Sequence, residues 1–135
     1  MASDRTFIIL KPDCLIRGLV GKVLQIFEQK GFKIVKMELR WKSIEWARNH
    51  YRHLSGDILQ RNVRFMTSGT VIGTILKREH AIEVARRIVG DTFGHTPGTI
   101  RGDYTVVVPY NLVHTSDSEG AYLDEAKAFF DASTD

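Results

Sequence analysis

Arg5-Thr-Phe-Ile-Ile-Leu10, broken by Lys11-Pro-Asp13 and followed by a helical run from Val20 to Lys30-Gly31, decides the fold. The first six residues form a short β-type run, and Pro12 ends it by removing a ladder donor. Beyond Gly18, Val20, Val23, Leu24 and Phe27 recur at i, i+3, i+4 and i+7, the apolar face of a helix that Gly31 closes. Phe32 to Trp41 then alternates imperfectly through Ile34, Val35, Met37 and Leu39 and reads as a second strand.

Farther out, Ser43 is placed to cap a helix through Trp46, Ala47 and Tyr51, and Asp57 to Phe65 reads as a short helix or loop. Thr70 to Leu76 predicts a third strand. His80 to Val89 repeats the helical spacing at Ala81, Val84, Ala85 and Ile88 and stops at Gly90. A polar loop from Asp91 to Asp103 leads into an expected fourth strand, Tyr104-Thr-Val-Val-Val-Pro109. The last helix starts near Ser116–Ser118 and buries Tyr122, Ala126, Phe129 and Phe130. The order β-α-β-β-α-β predicts an α/β (α+β) ferredoxin-like fold: a four-stranded antiparallel sheet, helices on one face, and extra short helices. Neither a linker nor a repeat divides the chain, so one domain over 1–135 is expected.

With 135 residues, 43% of them of apolar types, the chain can bury roughly 65–70% of its unfolded surface without staples. Cys14 is the single cysteine, which excludes an internal disulfide and a multi-cysteine zinc site. Apolar runs are too short to span a membrane, and Met1-Ala-Ser-Asp-Arg5 lacks a leader's apolar core, so a cytoplasmic protein is expected. A net charge of +3 is too mild to imply a polyanionic partner.

Several motifs carry less than they promise. Lys30-Gly-Phe-Lys-Ile-Val-Lys-Met37 partly matches an RNA-recognition signature, but Ile34 and Met37 stand where aromatics would stack bases, and no specific nucleic acid is expected. His50-x-x-His53 offers two imidazoles without an evident third ligand and reads as solvated helix. Arg101-Gly-Asp103 gains no adhesion role without a secretion signal, and Trp41 and Trp46 read as core or interface residues. Gly21-Lys22 is followed by Val23 and lacks the upstream glycine of a phosphate-binding loop. Nucleotide chemistry must therefore use scattered side chains.

Asn111-Leu-Val-His114-Thr-Ser-Asp-Ser118 is more informative. It leads into a helix start, where Ser116 has capping-box spacing to Glu119 and Ser118 suits a slightly later start. A helix N-terminus suits a phosphate, and a neutral histidine there is a competent nucleophile. Arg86, Arg87 and Arg101 supply guanidinium forks for other phosphates. The plainer reading is a surface histidine in a strand-to-helix turn.

Together, Arg5-Thr-Phe with Lys11-Pro-Asp13, Arg17-Gly-Leu-Val-Gly21, Phe27-Glu-Gln-Lys-Gly-Phe32, His50-Tyr51, Met66-Thr-Ser-Gly69, Pro97-Gly-Thr-Ile-Arg-Gly-Asp103 and Asn111-x-x-His114-x-Ser-Asp117 resemble the nucleoside diphosphate kinase family from Arg5 to about Phe130. The resemblance implies transfer of the γ-phosphate of a nucleoside triphosphate, typically ATP, to a nucleoside diphosphate by a ping-pong route through phosphohistidine on His114. It implies that Lys11 and Asn111 serve the ribose 3′ hydroxyl region, with Lys11 also near the transferred phosphate. Tyr51 stands beside the histidine, Arg86, Thr92 and Arg101 hold phosphates, and Glu125 orients His114. Mg²⁺ is expected on the nucleotide phosphates without a direct side-chain ligand, in a homo-oligomer, hexamer or tetramer. Thr115 and Cys14 replace usual glycines, and the loop around Phe93–Thr96 is about two residues short of the family pattern. Val108 matches one side of the base clamp; opposite it, Ile58 or Leu59 stands where an aromatic is usual. A catalytically weak relative serving as a nucleotide-binding or scaffolding module is the alternative. From a Ser118 cap, Glu125 lies roughly 10 Å along the helix, so its contact with His114 requires the preceding loop to fold back.

Overall fold

In the computed structural model, which describes residues 4–135, β1 (Arg5–Leu10) lies inside the sheet, with order β2-β3-β1-β4. Residues 1–3, part of the stretch read above as lacking a leader core, lie outside the described residues. β2 (Lys33–Arg40), β3 (Val71–Lys77) and β4 (Val113–Thr115) complete the sheet, and every pairing is antiparallel. This is the expected ferredoxin-like arrangement.

The unbroken apolar run in β1 reflects burial on both sides of the sheet. Ile8 and Leu10 join Val23 and Phe27 of α2 (Val20–Gln29) and Ala81, Ala85 and Val89 of α5 (Ala81–Val89). Phe7 and Ile9 face the other way, toward Trp46 and Ala47 of α3 (Ile44–His50), Val63 of α4 (Gly56–Met66) and Phe129 of α7 (Glu119–Phe130). Helices on one face only is therefore corrected: α3, α4 and α7 cover the second face. Gly73 permits this, because a Cβ there would overlap the Phe129 ring.

Three boundaries differ from expectation. Leu59, Val63 and Met66 share a helical face, and the mixed segment is the full helix α4. The expected loop to Asp103 contains α6 (Ile100–Tyr104), capped by Thr99, whose Oγ1 accepts from Gly102 N at 2.9 Å. The fourth strand is not Tyr104–Pro109 but Val113–Thr115. Val106 and Val107 are 87% and 57% exposed, whereas Leu112 and Val113 are fully buried. Burial overrides the β propensity of the three valines. A short helix, α1 (Pro12–Ile16), begins at the proline that ends β1. Among the described residues, no helix is long and apolar enough to cross a membrane.

Candidate active site

β4 pairs with β1 so that His114 opposes Ile9, which puts its side chain on the face covered by α3 and α7. The turn into β4 is built by β1 and α1. Lys11 N donates to Leu112 O at 2.8 Å, and Asp13 Oδ2 accepts from Leu112 N at 3.1 Å. These bonds hold Leu112 in left-handed backbone at φ 74°, a conformation costly for a leucine.

Ser118 caps α7, with Oγ accepting from Ala121 N at 3.0 Å, so the later of the two helix starts is the real one. The chain from His114 to Ser118 folds back along the first turns of α7. Nε2 of His114 lies 2.9 Å from Glu125 Oε1, and Ser116 Oγ donates to the same oxygen at 2.6 Å. Burial pushes the Glu125 carboxyl up, but the hydrogen bond and charge of His114 and the hydroxyl of Ser116 outweigh it and leave it below its usual value. An ionised Glu125 fixes the imidazole with its proton on Nε2, so Nδ1 carries the free lone pair.

His114 and Glu125 line a cleft of about 460 Å³ together with Arg86, Arg101, Arg52 and Asp117. Arg101 donates through one terminal nitrogen to Val113 O at 2.6 Å and through the other to Gly90 O at 3.3 Å. Burial, with Arg86 nearby and Tyr51 opposing, lowers its pKa to about 10. Arg87 points elsewhere and pairs with Glu83 at 2.7 Å.

Behind the cleft runs a buried polar chain. Lys11 Nζ donates to Asn111 Oδ1 at 2.7 Å, and Asn111 Nδ2 donates to Thr92 O at 3.0 Å. Burial lowers Lys11 to about 7, the charge of Arg101 adds to the shift, and Asp13 opposes it. Arg101 beside Lys11, with Arg86 and Arg52 on the same cleft, supplies donors suited to an anionic ligand. Tyr51, which ends α3, is buried with no hydrogen-bond partner for its hydroxyl, and burial raises its pKa.

The base-clamp residues are less gathered. Val108 is half-buried in the 105–112 segment, and Ile58 is 58% exposed on α4. Leu59 packs on the second core cluster and borders a hollow with Ile44 and Val63, apart from the His114 cleft. Thr115 is buried with Oγ1 unpartnered, and Cys14 fills the first core cluster, its thiol pushed up to about 12 by burial.

His50 corrects the reading of a solvated helix residue. Its side chain is 4% exposed, stacks on Trp46 at 5.2 Å, and meets the His114 ring edge-on at 4.5 Å. Burial holds its pKa well below the usual histidine value, and the nearby His114 and Lys11 charges act the same way. No spacing links positions 50 and 114; only their common place against α7 does. His53 also borders the cleft, whereas Trp41 is 59% exposed and donates to Thr67 O at 2.9 Å.

The sequence-family model described as nucleoside diphosphate kinase matches residues 4–134. Relatives named nucleoside diphosphate kinase include one from Hyperthermus butylicus, 43% identical over 96% of this chain and 94% of its own length. Another, from Methanocaldococcus jannaschii, is 42% identical over 95% of this chain and 94% of its own. A halophilic nucleoside diphosphate kinase from Halobacterium salinarum, solved in complex with CDP, superposes with TM-score 0.90 at 37% identity, covering 98% of this chain and 91% of that one. The apo enzyme from Encephalitozoon cuniculi superposes with TM-score 0.91 at 32% identity over 98% and 92%. These matches support the kinase reading and not the binding-module alternative. On this sequence and structural kinship, the chain belongs to the nucleoside diphosphate kinase family of nucleotide-directed phosphotransferases.

Proposed function

We propose that His114 carries the γ-phosphoryl group between a nucleoside triphosphate, typically ATP, and a nucleoside diphosphate in two half-reactions at one site. The observation that carries this reading is the His114–Glu125 hydrogen bond beside a cleft lined by Arg86 and Arg101. The lone pair on Nδ1 attacks the γ-phosphorus, and the bond to the bridging oxygen breaks with its electron pair leaving on the diphosphate. A second diphosphate attacks with a terminal oxygen, and the P–N bond returns its electrons to Nδ1. Throughout, Nε2–H stays on Glu125, which offsets the positive charge developing on the ring.

Arg86 and Arg101 neutralise charge on the transferring group, with Thr92 at the same phosphates. Lys11 and Asn111 meet the ribose 3′ hydroxyl region, and Lys11 also serves the leaving oxygen. Tyr51 supports the His114 side of the pocket. Val108 serves one side of the base and an aliphatic Ile58 or Leu59 the other, with no aromatic stacking. Leu59 borders a hollow apart from the His114 cleft, so base contacts are weak and breadth across bases is favoured over selection. The CDP in the Halobacterium salinarum structure supports a nucleoside diphosphate as ligand.

Mg²⁺ fits as a passenger of the nucleotide. It takes oxygen ligands and keeps much of its water, whereas the candidate metal-binding group among the described residues, His50, His114 and Glu125, is rich in nitrogen. When bound to the phosphates it supplies charge neutralisation there. The chain acts as a single domain, in the cytoplasm, as a homo-oligomer of four or six copies. Ile34, Val35, Met37, Leu39 and Trp41, all 37% to 59% exposed on or beside β2, support self-association.

The test is incubation with γ-labelled ATP and no acceptor. One acid-labile, base-stable label per chain is expected, discharged by any nucleoside diphosphate and absent in His114→Ala. An acid-stable label, or full transfer by His114→Ala, overturns the reading.

A further inference from the structure

The pairing of His50 with His53 fails as a metal motif, but the fold brings His50 to different partners. Its Nδ1 lies 4.0 Å from Glu125 Oε2, while Glu125 Oε1 holds His114 Nε2 at 2.9 Å. One donor atom from each of the three residues falls within 4.8 Å of the others. We propose that His50, Nε2 of His114 and Glu125 form a site for a divalent transition metal of the zinc class, and that its occupation closes His114 to phosphorylation.

Two imidazoles and a carboxylate are a donor set that zinc uses at open sites, with bonds of roughly 2.0–2.2 Å and a water in the fourth position. Bonds of that length bring tetrahedral ligand atoms to roughly 3.3 Å apart. The 4.0 Å and 4.8 Å spacings exceed that by about 0.7 and 1.5 Å, the inward shift that a bound metal requires of the three side chains. Trp46 stacked on His50 and Ser116 bonded to Glu125 restrict the orientations of both side chains. The cleft gives the fourth position access to water. A hard, oxygen-seeking Mg²⁺ does not compete for these nitrogens.

Exclusion of phosphate follows from the tautomer. In the unoccupied ring the proton sits on Nε2 and the lone pair on Nδ1. A metal on Nε2 takes the lone pair there, and the same proton moves to Nδ1, which can no longer attack phosphorus. Conversely, a phosphoryl group on Nδ1 leaves the proton on Nε2, and a metal must displace that proton from its bond to Glu125, which weakens binding. This exclusion rests on the His114 reading above; the metal site itself does not.

The experiment is calorimetric titration of Zn²⁺ into nucleotide-free protein, alongside the visible spectrum of the Co²⁺ form. Wild type should bind one Zn²⁺ per chain and give four-coordinate Co²⁺ bands. His50→Gln, with an unchanged circular dichroism melt, should bind at least about tenfold more weakly. His53→Ala should bind like wild type, and the phosphoenzyme should bind at least about tenfold more weakly. No binding by wild type, equal binding by His50→Gln, or equal loss in His53→Ala overturns the site. A phosphoenzyme that binds Zn²⁺ as tightly as the free protein overturns the exclusion. Failure to form any phosphoenzyme defeats the proposed function while leaving the zinc titrations to decide the site.

Discussion

Nε2 of His114 and Oε1 of Glu125 lie 2.9 Å apart although β4 and α7 carry them on separate elements. The contact depends on the reversal between Thr115 and Ser118, which Ser116 pins by donating to the same carboxylate. The carboxylate thus fixes which ring nitrogen is free.

Glu125→Gln keeps the shape and weakens this hold. Its kcat is expected to fall about 10- to 100-fold, with nucleotide affinity changed little. Ser116→Ala should cost less, about fivefold, the worth of one hydrogen bond near 1 kcal/mol. Single-turnover labelling beside equilibrium nucleotide binding separates these effects. Burial raises the Glu125 carboxyl, but its partners win and the net value is depressed from 4.5. Its stability contribution is therefore complete above that ordinary value and lost as pH falls through the folded one. Glu125→Gln should flatten the acid limb of a pH–stability curve.

Lys11 has linkage of the same sign in a more alkaline window. Burial first, then Arg101, lowers it from 10.5 to about 7, against Asp13. Between about 7 and 10.5 the unfolded chain binds the extra proton, so stability rises with pH across that window. Lys11→Met should abolish the rise, read from urea midpoints at stepped pH, and should lower kcat/KM by about 100-fold or more.

Arg101 spans the Val113 and Gly90 carbonyls with its fork, which an ammonium cannot reproduce. Arg101→Lys should lose about 10- to 100-fold in kcat/KM. Arg87→Lys, exposed and paired only with Glu83, should stay within about twofold. Initial rates on the two variants decide, and equal losses would contradict the geometry.

Gly73 sits where α7 meets the sheet, and an added Cβ would overlap the Phe129 ring. Gly73→Ala is expected to destabilise by about 1–3 kcal/mol, measured by chemical denaturation.

What the chain determined locally was whatever neighbours in sequence can enforce. The apolar run of β1, the proline break, the period of α2 and α5, and the Ser43 and Ser118 caps each follow from residues within a few positions of one another. Their order sufficed for the antiparallel ferredoxin-like sheet. The candidate site residues were named from spaced motifs of the family resemblance, and of these Asn111 and His114 are near neighbours in sequence, just before and within β4. Tertiary structure decided the rest. The valines 106–108 had β propensity, yet burial at Leu112 and Val113 and the Asp13 bond to Leu112 N moved the strand to His114. Helix period alone left His50 ambiguous between solvent and core. Its stacking on Trp46 and its contact with His114 arise only when α3 and α7 close the second face of the sheet. Desolvation and packing depend on elements far apart in the chain, and a local pattern carries no record of them.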